Sequence, residues 1–203
     1  MKTIRLKSEQ CNFQMLIPED WSNSLVEDLN FAVSELDRTF VNPAAKLSDS
    51  RTFTGPEDKA LNILITPLLP GEPEPGLAET GKTFAGLAEK FVLNVIQTGT
   101  MRILDQEHFC AIYYLGRLFR GDPIHYFKKY VIYRDRVEYL LTARLYALIP
   151  GRSLPTDGVL RASEKAFDEM VSSIELIPLR EPVVIRPLPK RRRVVRRRVR
   201  AEK

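Results

Sequence analysis

Apolar and polar residues alternate in short stretches over the first part of the chain, which is the pattern of β-strands. Residues 3–7 and 11–16 alternate around a polar connection and predict a β-hairpin. Residues 22–38 fit the spacing of a helix as well as that of a strand, and we favour a strand. The polar residues 39–59 contain two prolines and one glycine and predict a long loop, whereas residues 60–69 predict a buried strand.

Two amphipathic helices are predicted in the rest of the chain. The first follows the Pro- and Gly-rich residues 70–76, because apolar positions then recur at alternating steps of four and three residues, which places them on one helix face. These positions are Leu77, Gly81, Phe84, Ala88, Phe91 and Val95. The second helix covers residues 159–173, and residues 174–177 predict an edge strand after it. Its apolar stripe consists of Ala166, Phe167, Met170, Val171 and Ile174.

Between these helices the pattern changes to a meander of strands. The predicted strands cover residues 101–106, 108–120, 124–134 and 137–147. Their connections at 121–123 and 135–136 are short enough for hairpins, which makes neighbouring strands antiparallel. A parallel sheet joined by helical crossovers does not fit this pattern.

The positive charge of the chain is concentrated at its C-terminal end. Residues 190–203 contain nine Lys and Arg residues and one acid, whereas residues 1–189 carry 22 basic and 25 acidic residues. We predict one domain over residues 1–178, a Pro-rich linker over 179–189 and a basic tail over 190–203 that is disordered alone. The clustered cations of the tail suit nucleic acid or an acidic protein surface. They are Lys190, Arg191, Arg192, Arg193, Arg196, Arg197, Arg198 and Arg200.

Several classes of protein are disfavoured by the composition. No apolar run approaches the ~20 residues needed to span a bilayer. The first 21 residues lack the apolar segment of a secretory leader, so we expect a cytoplasmic protein. Cys11 and Cys110 are too few for a disulfide framework, and we expect reduced structural thiols. No Cys, His or acidic spacing suggests a metal, and we expect neither metal nor cofactor.

The octapeptide GLAETGKT, residues 76–83, matches the phosphate-binding pattern G-x-x-x-x-G-K-[ST] at every defined position. A P-loop requires a strand that runs directly into the glycine turn, but six residues separate Leu69 from Gly76. Glu79 also places a negative charge where a phosphate would bind. Because Gly81 lies on the predicted apolar face, we interpret the motif as the start of a helix. A nucleotide-hydrolysing P-loop protein is therefore the least favoured hypothesis.

The remaining chemical groups do not predict an enzyme. His108 and His125 fall on different strands without a Ser or carboxylate partner in the sequence. Aromatic and basic residues interleave in the meander, as in sheets that stack nucleic-acid bases, but aromatic residues also form strands well and half of them turn inward. We therefore favour core packing over a nucleic-acid platform. The aromatic set is Tyr113, Tyr114, Phe119, Tyr126, Phe127, Tyr130, Tyr133, Tyr139 and Tyr146, and the basic set is Arg117, Arg120, Lys128, Lys129 and Arg144.

Several segments together resemble one superfamily of proteins. They are IPEDW (17–21), NILIT (62–66), the strands that contain YYLGR and VEYLLTA, and FDEMVSSIEL (167–176). With the long helix between them they are similar to the PsbP-like and Mog-like superfamily, including the bacterial DcrB-like proteins, over roughly residues 3–177. The resemblance implies an α+β fold, an α/β/α sandwich with a central antiparallel sheet. It identifies no active site.

Members of that superfamily are mostly non-enzymatic: photosystem extrinsic subunits, a Ran-binding factor and chaperones for secreted effectors. The chain departs from the lumenal members by lacking an export signal, and from the bacterial pattern by its Arg-rich tail and the loop at 39–59. We predict a non-catalytic binding, adaptor or chaperone-like protein that binds a protein partner through its sheet or long loop and an anionic surface through the tail. The alternative is a nucleic-acid-associated protein whose tail supplies most of the affinity.

Overall fold

The computed structural model describes residues 1–7, 12–23, 49–115, 124–148 and 153–177. Within these residues the chain forms ten strands and two helices. In chain order they are β1 (Lys2–Lys7), β2 (Asn12–Ile17), β3 (Ser22–Asn23), β4 (Asp49–Thr54), β5 (Ala60–Pro67), α1 (Leu77–Lys90), β6 (Leu93–Ile103), β7 (Gln106–Leu115), β8 (Ile124–Arg134), β9 (Val137–Leu148), α2 (Asp157–Ser172) and β10 (Glu175–Ile177). The strands form two sheets in which every pairing is antiparallel. This confirms the α+β class with mostly antiparallel sheets.

The smaller sheet joins the two ends of the described chain. Strand β1 pairs with β2, which confirms the predicted hairpin, and β10 pairs with the other side of β2, with Leu176 opposite Phe13. The end of α2 is tied to the same sheet by Ser173, whose hydroxyl accepts a hydrogen bond from the backbone N–H of Leu16 at 2.8 Å and donates to the carbonyl of Met170 at 2.6 Å. The strand predicted after the second helix is therefore confirmed as an edge strand.

The larger sheet has seven strands in the order β3-β4-β5-β9-β8-β7-β6. Strands β6 to β9 form the predicted meander, and β5 joins it beside β9. The loop predicted over residues 39–59 is in part wrong, because β4 lies within it and pairs with β5 along its whole length. Residues 24–48 lie outside the described part of the chain, and with them most of the ambiguous stretch 22–38.

The first predicted helix ends earlier than its apolar spacing indicates. Helix α1 stops at Lys90, and Val92 has a backbone φ of +53°, which no right-handed helix contains. The chain then enters β6, so Val95 lies on an exposed strand and not on the helix face. Leu77 is also exposed, whereas Phe84 and Ala88 are buried as predicted. The first strand of the meander consequently begins at Leu93 and not at residue 101.

Two sets of core residues lie on the two faces of the larger sheet. On β7, Phe109, Ala111 and Tyr113 pack with Phe84 and Leu87 of α1. The alternate residue Cys110 belongs to the other set, which contains the α2 residues and the inward side of the smaller sheet. The α2 members of this second set are Phe167, Met170, Val171 and, just after the helix, Ile174. Ala166 was predicted on the same stripe and is exposed instead.

Two tight turns connect the meander. Leu104 and Asp105 link β6 to β7, and Asp135 and Arg136 link β8 to β9. All four residues have positive φ values between 51° and 62°, the conformation of two-residue hairpins with a type I′ turn. The hairpin predicted at residues 135–136 is confirmed, and the one at 121–123 lies outside the described residues.

Candidate functional site

The octapeptide that matches a P-loop forms the beginning of α1. Gly76 is the residue before the helix, and its carbonyl accepts from the backbone N–H of Thr80 at 2.9 Å. A Cβ added to Gly81 would lie 3.6 Å from the ring of Phe109, so this glycine faces the sheet as predicted. Lys82 and Thr83 are exposed. Because β5 ends at Pro67, no strand runs into the glycine, and the phosphate cradle of a P-loop is not formed.

The two histidines lie apart on β7 and β8. His108 is buried, and burial lowers its pKa. Burial also lowers the pKa of His125, and the charge of Arg144 acts in the same direction. In the described part of the chain, Nε2 of His108 and Nδ1 of His125 are buried without a hydrogen-bond partner. Neither histidine is held by a carboxylate there, so the described residues assemble no hydrolase triad.

The interleaved aromatic and basic residues are mostly turned into the protein. Tyr113, Phe127, Tyr130 and Tyr139 are buried, and so are the side chains of the predicted cations Lys128 and Lys129. Arg144 donates from Nε to the carbonyl of Asp58. Phe119, Arg117 and Arg120 lie outside the described residues. Two lysines of the proposed nucleic-acid platform thus belong to the interior of the sheet layer.

Lys128 is the centre of a partly buried ionic cluster on the α2 face of the sheet. Its Nζ lies 2.6 Å from Glu164 Oε1 and 2.8 Å from Asp168 Oδ1, and its side chain is only 5% exposed. Glu164 and Asp168 are four residues apart on α2 and therefore project from the same side of the helix. Burial by itself lowers the pKa of Lys128, but the hydrogen bonds and charges of Asp168 and Glu164 outweigh it and raise the pKa above its usual value. Lys128 is therefore a fixed cation.

Two neutral groups complete the cluster. Tyr130 donates from its hydroxyl to Asp168 Oδ1 at 2.8 Å, and burial together with the charge of Asp168 raises its pKa strongly. Cys110 is opposite Tyr130 in the sheet, and burial raises the pKa of its thiol. A thiol with a raised pKa is a poor nucleophile, so Cys110 is not activated in the way that cysteine-based covalent catalysis requires. Cys110 is a free, buried thiol, as predicted.

A cavity of about 210 Å³ opens between this cluster and the strands beside it. Its walls come from α2 and from β6, β7 and β8, and the charged groups among its described lining residues are the lysine and the two carboxylates. One ammonium group faces two carboxylates, which leaves one unit of negative charge at the cavity. The lining residues are Gln97, Gly99, Thr100, Met101, Cys110, Ala111, Ile112, Lys128, Glu164 and Asp168.

Strand β6, which forms one wall of the cavity, is an edge of the seven-stranded sheet. In the described part of the chain it pairs only with β7, and it carries no charged residue from Leu93 to Met101. Three apolar side chains at its beginning are exposed, with exposed fractions of 79% for Val92, 42% for Val95 and 51% for Ile96. The register against β7 shifts between Val95 and Gln97 and is regular from there to Ile103.

Neither the cavity nor the edge was predicted from the sequence. The run VLNVIQTGT, residues 92–100, is rich in β-branched residues, and this composition was the signal for a strand. The paired acids at 164 and 168 were the signal for a cation opposite the second helix. The basic residues predicted as a binding site, Lys190 to Arg200, lie outside the described residues.

The described residues contain neither a helix that could span a membrane nor a cluster of metal-binding side chains. None of their helices has the length and apolar character needed to cross a bilayer. No group of three or more His, Cys, Asp or Glu side chains converges among them in a way that could hold a metal ion.

This antiparallel α+β fold, with a helix packed on each set of core residues, is similar to the folds of solved structures. The solution structure of cyanobacterial PsbP (CyanoP) from Synechocystis sp. PCC 6803 is similar over 86% of this chain and 92% of that protein, with a TM-score of 0.52 and 12% identity. LpqN, involved in cell envelope biogenesis of Mycobacterium tuberculosis, matches over 87% of this chain and 91% of its own, with a TM-score of 0.40 and 9% identity. No protein-family profile matches the sequence. No curated protein matches it either.

The similarity to CyanoP confirms a PsbP-like fold, while the Mog-like and DcrB-like parts of the predicted resemblance stay predictions. The predicted cytoplasmic location is contradicted by the comparison structures, a cyanobacterial PsbP and a protein involved in cell envelope biogenesis. The cytoplasmic prediction had used the lack of a leader in the first 21 residues, and this lack carries no information about a segment removed or absent before them.

Proposed function

We propose that this protein is a non-catalytic binding module that takes up an extended segment of another protein along strand β6. The observation that carries the proposal is the edge that β6 forms among the described residues, an eleven-residue strand without a charge between Leu93 and Met101. An extended segment that pairs with such an edge adds a strand to the sheet, with main-chain hydrogen bonds for affinity and side-chain contacts for specificity. This role is a finer version of the non-enzymatic binding protein predicted from the sequence.

Strand β6 differs from edges that proteins protect against pairing. Natural edges are commonly short, or carry Lys or Pro residues that discourage a second strand. The opposite edge of the same sheet, β3, has only two described residues. Strand β6 has neither device over its uncharged part, and its bulge between Val95 and Gln97 affects only one end. The regular stretch from Gln97 to Met101 is therefore the segment that we propose to pair.

The surroundings of β6 favour protein over nucleic acid as the partner. The electrostatic affinity for nucleic acid comes from Lys and Arg, and β6 supplies one such cation, Arg102, near its end. Lys128 of the neighbouring cavity is occupied by two carboxylates. Val92, Val95 and Ile96 are exposed apolar side chains near the start of β6, which suits contact with side chains of a protein segment. The proposal also assumes the predicted three-layer α/β/α arrangement. In that arrangement the edge strand β6 belongs to the sheet layer between the two helix layers.

A pair of proline substitutions tests strand pairing directly. In an antiparallel strand the N–H groups of successive residues point to opposite sides, so one of Thr98→Pro and Gly99→Pro removes an outward N–H and the other removes a bond to β7. Thermal unfolding identifies the variant that leaves the sheet intact. The probe is the fluorescein-labelled heptapeptide Thr-Val-Thr-Lys-Thr-Val-Thr, and its binding is followed by fluorescence anisotropy.

We expect the stable proline variant to bind this peptide about tenfold more weakly than the unchanged protein, since its outward hydrogen bond is lost. Lys82→Ala, on the exposed face of α1, is the control that leaves binding unchanged. Absence of binding by the unchanged protein overturns the proposal. So does a dimer, seen by sedimentation, that the stable proline variant dissociates, because a second copy then occupies the edge.

For the basic tail we propose the anionic partner predicted from its charge. Nine cations against one acid in residues 190–203 support this part of the proposal. Its test is a truncation after Pro189, compared with the full chain for binding to a DNA duplex at increasing salt. We expect binding by the full chain to fall steeply with salt and to be absent from the truncated chain. Equal binding by both chains would exclude the tail residues Lys190 to Arg200 as the site.

A further inference from the structure

The cavity between β6 and α2 is a candidate site for recognising a side chain of a segment docked on β6. Gln97, Gly99 and Met101 of β6 line it, and Glu164 and Asp168 of α2 lie across it. We infer that this cavity selects one basic side chain, Lys or Arg, of the extended segment on β6. The inference rests on the proposed strand docking and adds to it the chemistry of the partner.

The charge of the cavity determines which side chain it accepts. Lys128 lies between two carboxylates, so the cluster is one positive charge short of neutrality. Asp168 is engaged by Lys128 and Tyr130, whereas Glu164 uses only Oε1, and its Oε2 has no hydrogen bond among the described residues. A second ammonium or guanidinium group at Glu164 Oε2 completes the cluster with a charge-assisted hydrogen bond. An acidic side chain at the same place adds a third negative charge.

Access to the carboxylates is open from the side of β6. The side chains of Glu164 and Asp168 are 28% and 33% exposed, so solvent reaches both. Gly99 lies in the middle of β6, and a Cβ built on it would meet no atom within 4 Å. A glycine inside a strand weakens the strand and often marks a place where a ligand approaches closely. Here the missing side chain of Gly99 leaves space at the edge of the cavity, through which a side chain of the docked segment would enter.

The geometry of strand pairing requires a long side chain. A segment paired to β6 lies about 4.8 Å beyond it, and its side chains alternate between the two faces of the sheet. A residue on the α2 face must cross β6 at Gly99 to reach the carboxylates over β7 and β8. Lys and Arg have the long flexible stems for this, and their methylene groups would lie along Met101 and Ile112 of the cavity. A short cation does not reach the carboxylates, and a long neutral side chain gains the apolar contact but not the ionic one.

Three peptides separate this inference from the proposed strand docking. They share the sequence Thr-Val-Thr-X-Thr-Val-Thr, in which X is Lys, norleucine or Glu. We expect the Lys peptide to bind about tenfold more tightly than the norleucine peptide, and the Glu peptide to bind most weakly. Equal binding of all three overturns the basic-side-chain inference and leaves strand docking intact. Absence of binding by all three overturns both.

Two variants of the protein locate the selection in the cavity. Glu164→Gln keeps the size of the side chain and should abolish the preference for Lys while leaving norleucine binding unchanged. Glu169→Gln, on the same helix and 62% exposed, is the matched control and should preserve the preference. Gly99→Val favours the strand but fills the space at the edge of the cavity. The preference for the Lys peptide should therefore disappear without loss of thermal stability. A Lys preference that survives both Glu164→Gln and Gly99→Val contradicts the inference.

Discussion

Gly55 lies against the indole ring of Trp21, where an added Cβ would come within 2.3 Å of two ring atoms. Trp21 is buried in the main core and packs edge-to-face on Phe167 of α2, with ring centroids 5.5 Å apart. The glycine is therefore required by close approach and not by its backbone angle. The contact joins the turn after β4 to the P-x-x-W segment that carried part of the predicted resemblance.

We expect Gly55→Ala to destabilise the protein by about 1–3 kcal/mol, because a rigid ring in a packed core has little room to move. Gly86→Ala is the matched control. Gly86 lies exposed within α1 with no atom within 4 Å of an added Cβ, so alanine there should stabilise the helix by up to about 1 kcal/mol. Urea unfolding measures both changes. A neutral Gly55→Ala would contradict this packing of Trp21.

At Val92 the backbone conformation is unfavourable for the type of residue. Its φ of +53° is unfavourable for a β-branched residue, and its side chain is 79% exposed, so little burial compensates. We expect Val92→Gly to raise the free energy of unfolding by about 0.5–1 kcal/mol. Val95→Gly, at an exposed position in the extended part of β6, should lower it. Urea unfolding measures the change in the free energy of unfolding of both variants. Destabilisation by both would contradict the left-handed conformation of Val92.

The ionic cluster predicts that replacing Lys128 destabilises the protein much more than replacing Lys165. Lys128→Met leaves Glu164 and Asp168 without their cation and should cost about 2–3 kcal/mol, less than a fully buried pair because both acids are partly exposed. Lys165→Met removes an exposed lysine 4.0 Å from Glu169 and should change stability by less than about 0.5 kcal/mol.

A second substitution tests the cause of this loss. Adding Asp168→Asn to Lys128→Met removes one of the uncompensated charges and should recover part of the lost stability, as measured by urea unfolding. No recovery in the double variant would show that Lys128 acts through packing alone.

The buried histidines predict the response to acid. Burial lowers the pKa of His108, and Arg134 acts in the same direction, while Glu107 opposes them. A group whose pKa is lower in the folded than in the unfolded state contributes stability above the unfolded value, and this contribution is lost as the pH falls. Stability should therefore decrease below the ordinary histidine value of 6.5.

His108→Gln should make this decrease shallower, and a comparison of urea unfolding at about pH 5 and about pH 8 measures it. His125→Gln provides a second, independent comparison, because burial lowers the pKa of His125 as well. Identical pH profiles for the unchanged protein and both variants would contradict the buried neutral state.

Local pattern predicted those elements whose periodicity agrees with their burial. Strand β2 and helix α2 follow from alternation and helical spacing, since one side of each is buried. Strands β7 to β9 follow from their apolar and aromatic content, because core residues lie on both faces of the larger sheet. The beginning of β6 could not be predicted in this way. Phe91 and Val95 continue the helical spacing of α1, and what ends the helix is the backbone of Val92, which the spacing does not record.

The cavity was beyond prediction for a different reason. Lys128 follows a phenylalanine and precedes Lys129, and nothing in this local sequence indicates that both lysines are buried. Lys128 is nearly buried because Glu164 and Asp168, far along the chain, are brought over it by α2. Such tertiary pairing overrides the usual exposure of lysine. The acids in i, i+4 spacing were visible, but nothing local identified their cation.

The meander and the smaller sheet differ in how far apart in the sequence their paired strands lie. Strands β6 to β9 pair with their neighbours in sequence, whereas β10 must find β2, with Leu176 opposite Phe13. Local pairs close at a smaller loss of chain entropy, so we expect the meander to form first and the smaller sheet last. Pulse-labelled hydrogen exchange during refolding should protect β8 before β2, and the reverse order would refute this sequence of events. During synthesis, the first strands then remain without their full sheet until β10, the last described strand, has left the ribosome.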